Sequence, residues 1–137
     1  MRKVLSVVAG ALLAVSALPV LAHHSFAAEF DASKPVTLEG TVTKMEWINP
    51  HSWIHIDVTT PSGEVQKWMV EGGAPNALLR RGWNRNSLPA GTKVKVQGFQ
   101  AKDGSMRANG RDITFADGRK LFVGSSGTGA PDERPEQ

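Results

Sequence analysis

The chain carries four histidines and no cysteine, and its histidines fall in two pairs: His23-His24, and His51 with His55. A neutral imidazole is the commonest metal ligand in proteins. If the chain is cut after Ala22, His23 presents a free α-amino group beside its ring. Those two nitrogens can chelate one ion, an arrangement suited to copper(II) or nickel(II), with zinc possible. The second pair lies in Asn49-Pro50-His51-Ser52-Trp53-Ile54-His55. Pro50 and the β-branched residues after it favour a strand over a helix. Four residues of strand set two Cα atoms about 13 Å apart. Both rings then serve one ion only if His51 still belongs to the turn. The sharp reading is a divalent-metal site, copper first, drawn from His23, His24, His51 and His55. The plain reading is a solvated N-terminus and an ordinary histidine on a strand surface.

Other side chains suggest ligand contacts rather than catalysis. Trp47, Trp53, Trp68 and Trp83 are many indoles for a small domain. At least two are expected in the core, each needing a partner for its N–H. Trp53 with Asp57 is the candidate stacking and binding face. Arg80 and Arg81, with Arg85 nearby, form a basic spot that suits a carboxylate or phosphate, with a solvated surface as the default. Glu39, Glu46, Asp57 and Glu71 are candidates for an acid–base pair, but sequence alone does not set their separation. There is no Gly-x-Ser-x-Gly, no phosphate-binding loop and no cysteine nucleophile. No catalytic residue is assigned, and the balance is against an enzyme.

The elements that must position these residues begin with a targeting segment. Arg2 and Lys3 precede an apolar run over 4–15, Pro19 breaks it, and Val20-Leu21-Ala22 presents small residues for a peptidase. Residues 1–22 therefore read as a cleaved secretory signal peptide, and the expected location is the periplasm, with membrane contact only during export. Loss of Arg2 and Lys3 lowers the formal charge from +3 to +1. That near-neutral balance, together with export, argues against nucleic acid as a partner. Without cysteine no disulfide holds the fold, so stability must come from one core.

Residues 23–123 read as one mainly β domain with an N-terminal arm. Phe26 and Phe30 are spaced to share a helical face within an arm or single turn. Strands are expected over 36–47, 52–60, 64–71, 92–100 and 106–115, with a short edge strand over 120–123. Gly40 marks a bulge or bend in the first. Pro61-Ser62-Gly63 supplies hairpin turn chemistry. Pro75 to Gly82 reads as a short helix with Gly82 as its cap. A helix between the third and fourth strands is the layout of a five- to six-stranded OB-like barrel. A flat meander with one helix is the competing arrangement. Residues 124–137 are rich in Gly, Ser, Pro and charge with nothing to bury, and are expected to be disordered.

Three stretches carry a resemblance: His23-His24-Ser25-Phe26-Ala27-Ala28-Glu29-Phe30-Asp31, then Leu38-Glu39-Gly40-Thr41-Val42, then Trp47-Ile48-Asn49-Pro50-His51. Together they resemble a family of small exported bacterial proteins classed as a domain of unknown function. The likeness runs from about His23 to Phe122. It implies a periplasmic protein of one small β-domain and brings no activity with it. Two functions from different classes therefore stand side by side. One is a metal-binding domain using the histidines. The other is a metal-free periplasmic interaction module that binds a protein or envelope ligand on a barrel face.

Overall fold

The computed structural model describes residues 25–125 and 128–131. The segment read as a signal peptide, with His23 and His24, lies outside the described residues. The chain runs α1 (Phe26–Glu29), β1 (Phe30–Glu46), β2 (Trp53–Thr59), β3 (Val65–Glu71), α2 (Pro75–Arg80), β4 (Lys93–Ala101), β5 (Arg107–Phe115) and β6 (Lys120–Phe122). The sheet order is β3-β2-β1-β4-β5-β6, and β3 pairs again with β5. Five strands thus close a ring, an OB-like arrangement. The closing pair, Met69–Glu71 with Arg107–Asn109, is parallel, and the other pairings are antiparallel.

Alternation along each strand decides which side chains enter the ring. Ile54 and Ile56 from β2, Val70 from β3, Val96 from β4, and Ala108 and Ile113 from β5 are at most 1 % exposed. They form one core with Leu38 and Val42 of β1. The short helix adds Leu78 to that core, and its chain leaves through Gly82 at φ +86°, as the capping reading required. Trp68 and Trp83 are both buried, and each indole N–H finds an acceptor: the Gln66 side chain at 3.1 Å and the Phe122 carbonyl at 2.9 Å.

Three expectations change. The first strand begins at Phe30, not Val36. Residues read as arm already pair with β4, Phe30 opposite Ala101, and the register slips before Pro35. Gly40 is not the bulge, because the β1–β2 register shifts between Val42 and Lys44. Instead, Gly40 lets two backbones approach closely: a Cβ there would stand 2.4 Å from the Asp57 carbonyl oxygen. Gly40→Ala should therefore cost about 1–3 kcal/mol, the ordinary penalty for overpacking, seen as a lower urea midpoint. An unchanged midpoint would show that β1 and β2 can separate at no cost. Finally, part of the stretch expected to bury nothing is packed. Thr128 and Ala130 are buried, and Ala130 joins Phe26, Phe30 and Ala101 in a second cluster with Phe99 against it.

Candidate functional site

The second cluster fixes the N-terminal arm to the outside of the ring. The Phe26 ring lies 5.9 Å from Phe30 and meets Phe99 edge-on at 5.5 Å. The Phe26 N–H donates to the Thr128 carbonyl, and the Lys102 N–H to the Glu29 carbonyl. The single turn of α1 therefore carries Glu29 to a defined place over the sheet.

Strand register supplies the residues beneath it. Trp53 is paired with Glu71, and Met69 with Arg107. Side chains on paired residues share a face. Ile54, Val70 and Ala108 occupy the opposite, core-facing positions, so Trp53, Glu71 and Arg107 point outward. The Arg107 guanidinium meets the Glu29 carboxylate at 2.8 Å and lies over the Trp53 and Phe30 rings, at 5.6 and 6.0 Å from their centroids. The loop entering β2, with Asn49–Pro50 in the cis form, closes the side. Glu29, Asn49, His51, Trp53, Glu71 and Arg107 line a cavity of about 250 Å³.

His51 precedes β2 and so belongs to the turn, the case in which the strand-spacing objection lapses. It is 8 % exposed. Its Nδ1 stands 3.5 Å from Glu71 Oε1 and 3.4 Å from Ser125 Oγ. Burial raises the Glu71 pKa to about 7; the Glu29 carboxylate adds to the rise and Arg107 opposes it. Near neutrality Glu71 thus divides between its charged and neutral forms, which makes the cavity sensitive to small changes in local charge.

His55 stands apart from this cavity. It sits within β2, and its Nε2 meets Glu46 Oε2 at 2.8 Å. Lys44 first, and His55 second, hold the Glu46 carboxyl below its usual range. The two described histidines therefore have different carboxylate partners. Among the described residues no group of three His, Asp or Glu side chains is placed to hold a metal ion. Asp57, proposed beside Trp53 as a ligand contact, pairs loosely with Lys67 at 3.7 Å and does not line the cavity. Arg81 is half-buried, donates to the Gly124 carbonyl and stacks on Phe122, so it serves packing as well as charge. Arg80 is exposed.

Glu29 and Arg107 escaped the sequence reading, and Glu71 was only one acid among four. Their convergence depends on the parallel β3–β5 register and on how the arm docks, neither of which leaves a local pattern.

Residues 10–110 match the model of a family of unknown function, DUF6152. The chain belongs to this family. The matched span holds every residue that lines the cavity. No curated protein and no solved structure matches the chain. Among the described residues no helix is long and apolar enough to cross a membrane.

Proposed function

We propose that this domain is an exported, periplasmic binding module that takes a divalent cation, copper first, in the cavity beneath its arm. His51 is the donor supplied by the fold, and His23 and His24 are donors delivered by the arm. The supporting observation is that α1 brings the N-terminal arm to the wall of the cavity that holds His51. Glu29 lines that cavity, and Phe26 is one helical turn earlier, a rise of about 4.5 Å. His24 stands two positions before Phe26 in the chain, which motivates it as a second donor. Cleavage after Ala22 would add the terminal amine and ring of His23, a nitrogen set that favours copper(II). His55 is engaged by Glu46 and is not required.

Copper titration of three proteins tests this reading: the chain beginning at His23, the same chain with one added N-terminal alanine, and His51→Ala. The first should bind at least about tenfold more tightly than either of the others, a difference of about 1.4 kcal/mol per tenfold. Equal affinity in all three would overturn it.

The second reading, a metal-free interaction module, has one observation in its favour. Ile48 at the cavity wall and Met106 beside Arg107 are 50 % and 39 % exposed. Apolar side chains set singly on a surface are ordinary, so this reading ranks below the first.

A further inference from the structure

We infer that the cavity beside Glu71 is a site for a small organic monocation, a primary alkylammonium with a short carbon chain. The inference goes beyond the copper reading and draws on no histidine donor. It starts from one carboxyl. Glu71 is 8 % exposed and lines the cavity. A buried carboxylate needs a cation or hydrogen-bond donors in place of the water it gives up. No described residue donates a hydrogen bond to the Glu71 side chain, since His51 Nδ1 stands 3.5 Å from Oε1, beyond hydrogen-bonding reach.

The charges of the lining do not balance either. Among the described residues it holds two carboxyls, Glu29 and Glu71, and one guanidinium, Arg107. Arg107 is committed to Glu29 at 2.8 Å. With His51 neutral and Glu71 ionised, the lining is one positive charge short. An ammonium supplies both the charge and the N–H donors, and bonds assisted by charge are the stronger class. A second positive charge on the ligand would meet Arg107 with no carboxylate left to offset it. An anion would face two carboxyls, with the one guanidinium already engaged. The walls set the rest of the ligand. Ile48, Pro50 and Trp53 line the same cavity, so a carbon chain beside the ammonium buries against them. At about 250 Å³ the space suits a chain of a few carbons, short of the roughly 300–1,000 Å³ of drug-sized sites.

Titration of the protein with butylammonium chloride, followed by proton–nitrogen NMR with a metal chelator present, tests the inference. The sample is held at about pH 8. Glu71, with a pKa of about 7, is then mostly ionised. An alkylammonium, like lysine at about 10.4, keeps its proton. Salt at about 0.15 M screens loose surface attraction. Signals of Trp53, Glu71 and Arg107 should shift saturably, with a Kd of about 1 mM or tighter. Butanol, of the same length without the charge, should bind at least about tenfold more weakly, and so should butylammonium to Glu71→Gln. Glu46→Gln should bind as wild type does, because Glu46 is held by Lys44 and His55 outside the cavity. No saturation by about ten times that Kd overturns the inference, as do shifts centred away from the cavity. Equal affinity for butanol, equal affinity in Glu71→Gln, or an equal loss in Glu46→Gln each overturns it too. If Glu71→Gln does not fold, the ammonium–alcohol comparison on the wild type still decides. Because the chelator removes metal, the result is independent of the copper titration.

Discussion

Replacing Phe26 by alanine should free the N-terminal arm and leave the ring of strands folded. Phe26 is 4 % exposed and packs on Phe30, Phe99, Ala101 and Ala130. That cluster is separate from the core inside the ring. Truncating a buried phenylalanine costs about 3–5 kcal/mol, through lost burial and the cavity left behind. The contacts that remain cannot make up the loss. The Arg107–Glu29 pair is about one-third exposed on each side. Pairs of that kind are worth at most about 1 kcal/mol. Two backbone hydrogen bonds, from the Phe26 and Lys102 amides, and one from the Lys102 ammonium to the Ala27 carbonyl add to the attachment.

The cost therefore falls on local opening of the arm, not on global unfolding. Hydrogen exchange should show the Phe26 and Lys102 amides losing protection in Phe26→Ala, while amides of Ile54, Val70 and Val96 keep it. Loss of protection throughout the ring would show that the two clusters fold as one unit. Because the arm delivers His23 and His24 in the proposed function, copper affinity should fall along with arm protection.

The second large effect concerns pH. Glu71 is raised from 4.5 to about 7 by burial first and by Glu29 second. Between those two values the folded protein keeps a proton that the unfolded chain has released. Stability must then fall as pH rises through that window, and it is constant with respect to this group on either side. A shift of that size corresponds to something on the order of 3 kcal/mol. Glu71→Gln removes the titration. In urea denaturation of the metal-free proteins, the variant should gain on wild type steadily from about pH 4.5 to pH 7. Parallel curves for the two proteins would show that Glu71 ionises normally in the fold. Asp31, Glu46, Asp103 and Asp117 have lowered pKa values, so their effects carry the opposite sign and act below the ordinary carboxylate values. They are common to both proteins and cancel in the comparison.

Local pattern was sufficient for much of the architecture. Two-residue alternation in 52–60 put Ile54, Ile56 and Val58 on one side, and the first two are core. Pro75 and Gly82 bracket α2 as the capping chemistry demands. The helix between the third and fourth strands was enough to expect an OB-like ring. Signals of this kind are short-range, since each depends on residues a few positions apart. The errors came where a strand's limits depend on a distant partner. Residues 30–35 are strand because β4 is there to pair with them, and Gly40 is needed because the Asp57 carbonyl lies against it.

The histidines divide in the same way. Composition and spacing alone marked His51 and His55 as the chemically distinctive residues of the β-domain, because imidazoles are few and their clustering is visible in one dimension. Which carboxylate each would meet was not visible. His55 meets Glu46 through the bulged β1–β2 pairing, and His51 meets Glu71 at the end of β3. Glu29 and Arg107 join His51 from positions far apart in the chain, through arm docking and a parallel strand pair. Side-chain chemistry belongs to single residues and short spacings, so the sequence by itself determined which groups could act. The cavity is built from contacts between residues remote in sequence, and only closure of the ring and packing of the arm decided which of those groups meet.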